Sequence, residues 1–468
     1  MRGMWAAMAA LALAMTADAQ APRPDEAAFR ALYEELVEID TSPSTGSCTR
    51  AAEAMAAHLR AAGFGEADLR VIVPEGKPDD GNLTAVLRGS NPRAGALLLL
   101  AHIDVVDARR EDWERDPFTL FEENGYFYGR GTIDDKAMAA IFADLMIRLK
   151  RENFRPRRDV KLALTCGEET SNRVNGVRYL LEHHRDLIDA SVALNEGAGG
   201  ILRADGTPLA LNIQAGEKVH QVFVLETTNP GGHSSRPRAD NAIYQLNAAV
   251  ARIAAHDFPV ALNPVTQSFF ARMADLEGGA LGAAMRALAA DPTNAEAIAQ
   301  LSREPSYNAM MRTTCIATRL DAGHAPNALP QRARATFSCR LLPGHASDAV
   351  RAELARVIAD PGVSITLANG AQPTPPPPPL TPALMRTVER HGRHFWPDAP
   401  LVPIMLPGAT DGRFLNAAGV PTYGLSGIFS TPDETNAHGL NEKVRVASVY
   451  RGRDFLDAVV RDLARQSR

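Results

Sequence analysis

The chain has 468 residues, with 50 Lys+Arg against 55 Asp+Glu, 45% hydrophobic residues and a formal charge of −5. This near balance excludes a solvated tail protein and removes any global electrostatic case for binding nucleic acid. At roughly 100–200 residues per domain, the length predicts two or three domains, each able to bury its own core without covalent staples.

In chain order, residues 1–19 carry Arg2, an apolar run from Met4 to Ala17, and small residues ending in Ala17-Asp18-Ala19. That order is the order of a secretory signal peptide, and the run is too short to span a bilayer comfortably. A secreted or periplasmic location is therefore expected. No later stretch approaches ~20 continuous apolar residues, so no membrane span is expected. The four cysteines, Cys48, Cys166, Cys315 and Cys339, lie far apart without CxxC spacing. This argues against a structural zinc knuckle or a disulfide-framed domain. Cys315 and Cys339 fall in strand-like runs and can pair across a sheet if those strands are neighbours; buried free thiols are the alternative.

From Asp25 to Gly200 helical and strand patterns alternate. The amphipathic segments DEAAFRALYEELVEID and AAEAMAAHLRAAGF precede the apolar runs ALLLLAHIDVV, DVKLALTCGEE and ASVALNEG, with helices at 135–151 and 174–185 between them. Apolar strands interleaved with helices predict an α/β domain whose mostly parallel sheet is covered on both faces. Near Asn212 the strands KVHQVFVLETT, TTCIATRLDAG, ARATFSCRLLPG and VSITLANG become alternating, with helices at 240–256 and 346–359. This predicts an inserted α+β domain over 213–370, enlarged between Asn263 and Met310 by an Ala-rich helical segment. The prolines from Pro373 to Pro379 form a stiff linker back to the first domain, which comprises 20–212 and 371–468.

Five polar clusters sit after apolar strands or at turns: His102-Ile103-Asp104, Asp134-Asp135, Glu168-Glu169, Asn195-Glu196-Gly197, and His438. In open α/β sheets, chemistry gathers at the carboxyl ends of strands. The clusters supply imidazole and carboxylate groups without thiolate, a set that suits zinc first, with cobalt or manganese as alternatives. They are too many for one catalytic zinc and fit two metals sharing a carboxylate.

The motifs HIDVV, WERDPFTLFEENGYFYGRGTIDDK, GEETSNRVNG, NEGAGG, GGHSSRPRADNAIYQL, HAPNALPQRARATFSCRLLPG, GATDGRF and TNAHGLNEKV follow one another in this order. In that order the chain resembles the dizinc metallopeptidase family of carboxypeptidases, aminoacylases and dipeptidases, most nearly its secreted N-acyl-amino-acid hydrolases and vacuolar carboxypeptidases. The resemblance implies a zinc-peptidase-like catalytic domain plus an inserted lid and dimerisation domain, two bound zinc ions, and a homodimer through the insert. It implies that His102 and Glu196 hold one metal, Glu169 and His438 the other, and that Asp134 bridges them. Asp104 would orient His102, and Glu168 would be the general base. A cis peptide bond after Asp134 is implied as well. In the inserted domain, His233 would stabilise the oxyanion, often from a partner subunit, while Asn327 and Arg340 would fix the substrate carboxylate. Thr410 and Asp411 would lie on a substrate-side loop, with Arg413 structural. The expected activity is hydrolysis of an amide bond to an amino acid with a free carboxylate, in an N-acyl amino acid or at a peptide C-terminus. The alternatives are a dipeptidase of the same family and a non-catalytic metal- or ligand-binding relative. The expected partners are a small-molecule or peptide substrate.

Overall fold

A computed structural model describes residues 24–368 and 370–466, so the signal-peptide segment lies outside the described residues. The strands Leu97–His102 and Val160–Thr165 are buried at every position, as expected of strands covered on both faces. Their alternate side chains enter two different cores. Leu97, Leu99 and Ala101 join one with the helix Lys136–Arg151, whereas Leu98 and Leu100 join another with Val177 and Leu180. Leu97–His102 pairs in parallel with Val160–Thr165 and with Val192–Asn195, and Val192–Asn195 in turn pairs in parallel with Thr422–Gly424. These strands form the centre of a ten-stranded sheet. Antiparallel pairings flank this parallel centre, including Asn82–Leu87 against Val160–Thr165 and Thr422–Gly424 against Pro208–Glu217.

A second, antiparallel sheet has the order Thr314–Ala322, Arg332–Leu341, Val219–Thr228, Ser364–Leu367. Burial along Val219–Thr228 alternates residue by residue because the helices Ala242–Ala254 and Ser347–Ile358 cover one face only. The strand Pro208–Glu217 belongs to the large sheet and Val219–Thr228 to the small one, so the chain crosses between them at Lys218 rather than at Asn212. The Lys218 ammonium marks this crossing by donating to Ala309 O, Arg312 O and Thr314 Oγ1.

The helical segment after Asn263 departs from its expected place in the inserted domain. Its helices Pro264–Glu277, Gly279–Ala290, Ala295–Leu301 and Pro305–Met311 pack Phe270, Met285, Leu288 and Met311 against Ala210 and Val402 of the large sheet. Composition shows that such helices are apolar on one side; it does not say which of two sheets receives that side.

All four cysteines are paired, which the free-thiol alternative did not foresee. Cys315 and Cys339 are opposite one another on adjacent strands. Cys48, at the start of the helix Cys48–Ala61, bonds Cys166 at a sequence separation of 118, just after the strand Val160–Thr165. No helix among the described residues is long and apolar enough to cross a membrane.

Candidate metal centre and its surroundings

Four of the five polar clusters follow strands of the large sheet or the turn before Lys136–Arg151, and the fifth is the loop containing His438. Asp134 lies between two imidazoles, with Oδ1 3.1 Å from His102 Nε2 and Oδ2 3.1 Å from His438 Nε2. Glu196 Oε2 lies 3.6 Å from the same His102 nitrogen, and Glu169 Oε2 lies 2.9 Å from His438 Nε2. The ligating atoms of His102, Asp134 and Glu169 lie within 4.8 Å of one another, and so do those of His102, Glu168 and Glu196. The Asp134–Asp135 peptide bond is cis.

Electrostatics follow from this crowding. Burial opposes charge on His102, yet Glu196, Asp134 and Asp104 hold its pKa well above the usual imidazole value. Asp134 and Glu169 raise His438 to about 10. Burial, followed by the charge of Glu196, pushes Glu168 well above the usual carboxylate range. Burial also raises Glu196, and Oδ2 of the buried Asp135 has no hydrogen-bond partner. Two imidazoles and several carboxylates, without a thiolate, form a donor set with excess negative charge in a low-dielectric place. That set fits divalent cations of the zinc class.

Supporting residues act through the backbone. The Asp104 carboxylate accepts from Glu168 N at 3.2 Å and Glu169 N at 3.1 Å, while its backbone carbonyl is 3.0 Å from His102 Nδ1. Asp104 therefore holds the Glu168-Glu169 turn with its side chain and the imidazole with its main chain. The carboxylate itself is 3.7 Å from His102 Nδ1, beyond a hydrogen bond. Sequence reasoning missed Glu442. It is fully buried and accepts from Arg130 Nη1 at 2.6 Å, Gly131 N at 3.0 Å, Ile133 N at 2.9 Å and Asp134 N at 3.2 Å, fixing the loop that carries Asp134. The signal available was an unassigned acid inside the motif TNAHGLNEKV.

The residues expected on the substrate side divide. Thr410 and Asp411 are only 4% and 2% exposed and are occupied internally, which departs from a substrate-facing role. Thr410 N donates to Glu217 Oε2 at 2.5 Å, its Oγ1 accepts from Asn195 Nδ2 at 3.1 Å, and Asp411 Oδ1 accepts from Asn175 Nδ2 at 2.6 Å. His233 lies on an exposed two-stranded sheet formed by Gly232–His233 and Ala328–Leu329, with Asn327 just before the second strand; His233 Nδ1 lies 2.7 Å from Ser235 Oγ, and Asn327 O accepts from Ser234 N. None of these hydrogen bonds reaches the acidic cluster.

Arg340 stands opposite His220 on the small sheet, and Ser338 Oγ is 2.9 Å from His220 Nε2. Among the described residues no ion pair holds the Arg340 guanidinium. Burial and the charge of Arg413 lower its pKa, and burial together with both arginines lowers His220. Arg413, read from sequence as structural, rests its guanidinium 4.5 Å from the Phe414 ring centre and has a buried Nε without a partner. Two guanidinium groups and an imidazole kept neutral by burial and by their charge thus share one region.

This fold and acidic cluster define a hydrolase of the metallopeptidase class. The family model for peptidase family M20/M25/M40 matches residues 98–462, and the chain belongs to that family. It is 30% identical over 364 residues to the N-fatty-acyl-amino acid synthase/hydrolase PM20D1 of Xenopus tropicalis, covering 76% of this chain and 70% of that protein. It also resembles the M20 family metallo-carboxypeptidase Sso-CP2 from Sulfolobus solfataricus, with a TM-score of 0.69 and 18% identity, covering 92% of this chain and 98% of the other. The YXEP protein of Bacillus subtilis, described as a dinuclear metal binding peptidase, aligns with a TM-score of 0.58 at 13% identity over 93% of this chain and 98% of its own. The chain is a metal-dependent hydrolase of amide bonds to amino acids.

Proposed function

We propose that this protein hydrolyses N-acyl amino acids outside the cytoplasm, using two zinc-class ions, with cobalt or manganese as alternatives. The carrying observation is Asp134 between His102 and His438, each imidazole with its own second carboxylate. In this reading His102 and Glu196 hold one ion, Glu169 and His438 the other, and Asp134 serves both. Bound there, the ions would lower the pKa of an attacking water and stabilise negative charge developing on the scissile carbonyl.

The remaining steps belong to the chain's own side chains. Glu168, whose buried carboxylate readily takes a proton, accepts one from the attacking water and returns it to the departing amine. Arg340, which has no ion-pair partner among the described residues, receives the α-carboxylate with Arg413 beside it, since two guanidinium groups can bind a carboxylate through several charge-assisted hydrogen bonds. His233 and Asn327 complete the site from the small domain. The short strand carrying His233 is exposed, and the outermost strand Thr314–Ala322 of the small sheet presents Ile316 at 67% and Leu320 at 52% exposure. This surface suits pairing with a second copy that would bring His233 to the neighbouring site. The two disulfides support an oxidising compartment.

The test is a mass-spectrometric screen of purified, zinc-loaded protein against N-acyl amino acids, their carboxamides and peptides. Cleavage of N-acyl amino acids but not of their carboxamides is expected. Preferential removal of C-terminal residues from unblocked peptides would replace this reading with a carboxypeptidase.

A further inference from the structure

The strands Val219–Thr228 and Arg332–Leu341 set His220 directly opposite Arg340. Ser338, two residues before Arg340, shares their face, which the helices Ala242–Ala254 and Ser347–Ile358 leave uncovered. These two strands carry one acid between them, Glu226, which lies at the opposite end and is ion-paired with Arg332 and Arg334. Arg413 reaches the same place from the helix Gly412–Ala417. Its approach is fixed by the bond from Thr410 N to Glu217 Oε2 at 2.5 Å, which ties the turn before Arg413 to the residue three before His220. The charge of Arg413 accordingly acts on both His220 and Arg340. The acids near Arg413 are already committed: Glu217 accepts from Thr410 N, and Asp411 Oδ1 accepts from Asn175 Nδ2 at 2.6 Å. Among the described residues no ion pair holds Arg340, Arg413 or His220, and Arg413 Nε is buried without a partner. The neighbouring Lys218 ammonium is spent on Ala309 O and Arg312 O.

We infer that His220 and Arg413 form a second anion subsite beside Arg340, so that the preferred substrates are N-acyl derivatives of dicarboxylic amino acids. The inference rests on the proposed amide hydrolysis and deepens it by naming the amino-acid side chain. One α-carboxylate brings a single negative charge to two guanidinium groups, whereas a second carboxylate on the side chain balances them. The α-carboxylate keeps Arg340, Arg413 is shared, and the side-chain carboxylate takes His220. His220 needs no charge of its own for this. Its Nε2 is 2.9 Å from Ser338 Oγ, while Nδ1 has no hydrogen bond among the described residues. A Ser338 hydroxyl that donates to Nε2 leaves the ring proton on Nδ1, where it can be donated to an anion. Donors of this kind are worth more to a carboxylate than to a side-chain amide of the same shape, and an aliphatic side chain leaves them unpaired.

The experiment measures kcat/KM of the zinc-loaded enzyme on L-glutamate, L-glutamine, L-aspartate and L-asparagine, all carrying one common N-acyl group. Each acid is expected to exceed its own amide at least about tenfold, the advantage of hydrogen bonds to a charged partner. His220→Leu and Arg413→Gln, each checked for an unchanged melting temperature and metal content, are expected to lower that ratio at least about fivefold. Arg413 also serves the α-carboxylate, so His220→Leu is the independent probe. Wild-type ratios at or below one, or an unchanged ratio in folded His220→Leu, overturn the inference. If His220→Leu does not fold, Ser338→Ala takes its place, because it removes the partner of Nε2, and an unchanged ratio there overturns the inference too. If no N-acyl amino acid is cleaved, the proposed activity falls. Calorimetric binding of free L-glutamate and L-glutamine to the same protein then reads the subsite, and glutamate that binds no tighter than glutamine overturns it.

Discussion

The large sheet and the small sheet carry functional groups of opposite charge and with opposite degrees of restraint. On the large sheet, acidic side chains converge and are locked by backbone donors and buried partners such as Asp104 and Glu442. On the small sheet Arg340 has no ion-pair partner among the described residues, and His233 sits on a separate, exposed two-stranded sheet. A rigid acidic half suits fixed cations, while a loosely held cationic half suits an anion that comes and goes.

The largest expected effects come from breaking the acidic half. His102→Ala and Asp134→Ala are expected to lose bound metal and all measurable turnover. The wild-type protein should carry close to two ions per chain by elemental analysis. Glu168→Gln should retain its metal while losing roughly 10²–10⁴-fold in kcat, as removal of a general base does. Metal loss in Glu168→Gln with retention in Glu169→Ala would exchange the two roles.

The two disulfides divide along the same line. Cys48–Cys166 joins residues 118 apart and ends two residues before Glu168, whereas Cys315–Cys339 joins residues 24 apart within the small sheet. Chain-entropy arguments put the first near ~4–5 kcal/mol and the second near ~3 kcal/mol. Denaturant midpoints of Cys48→Ser/Cys166→Ser and Cys315→Ser/Cys339→Ser should rank in that order. The first pair should also lower kcat, because it anchors the turn that carries Glu168 and Glu169. Equal midpoint shifts with unchanged kcat would remove that anchoring role.

A smaller effect is expected from the cationic half. Arg340→Ala and Arg413→Ala should each raise KM for an N-acyl amino acid by roughly 10–100-fold and narrow its advantage over the carboxamide. An unchanged acid-to-amide preference in Arg413→Ala would return that residue to a purely structural role.

The smallest effect concerns Glu217, at the end of the large-sheet strand before the crossing. Burial pushes its carboxyl from 4.5 up to about 7, although Thr410 and Arg413 pull the other way. Between these values the unfolded chain has released a proton that the folded chain still holds. Stability should therefore fall as pH rises from about 4.5 to about 7, by on the order of 2 kcal/mol. Urea unfolding of Glu217→Gln across that range should show a shallower fall than wild type. Parallel curves would mean that Glu217 titrates normally.

Period and composition alone were enough to read the fold class. Apolar strands between helices imply a sheet covered on both faces, and alternating strands imply a sheet covered on one. The polar clusters were legible for a related reason: His102, Glu168 and Glu196 directly follow apolar strands, where a parallel sheet brings their ends together. Local sequence could not decide pairings that depend on where distant segments finish. Cys48 meets Cys166 only because a helix packs beside a strand end, and the helices after Asn263 reach the large sheet only because Ala210 and Val402 offer them an apolar face. Thr410 and Asp411 turned inward, and Arg413 was left facing Arg340, by the same tertiary arrangement. The residue types set which chemistry this protein can perform. The packing of one sheet against another determined which of those side chains are used up in holding the structure and which remain free to meet a substrate.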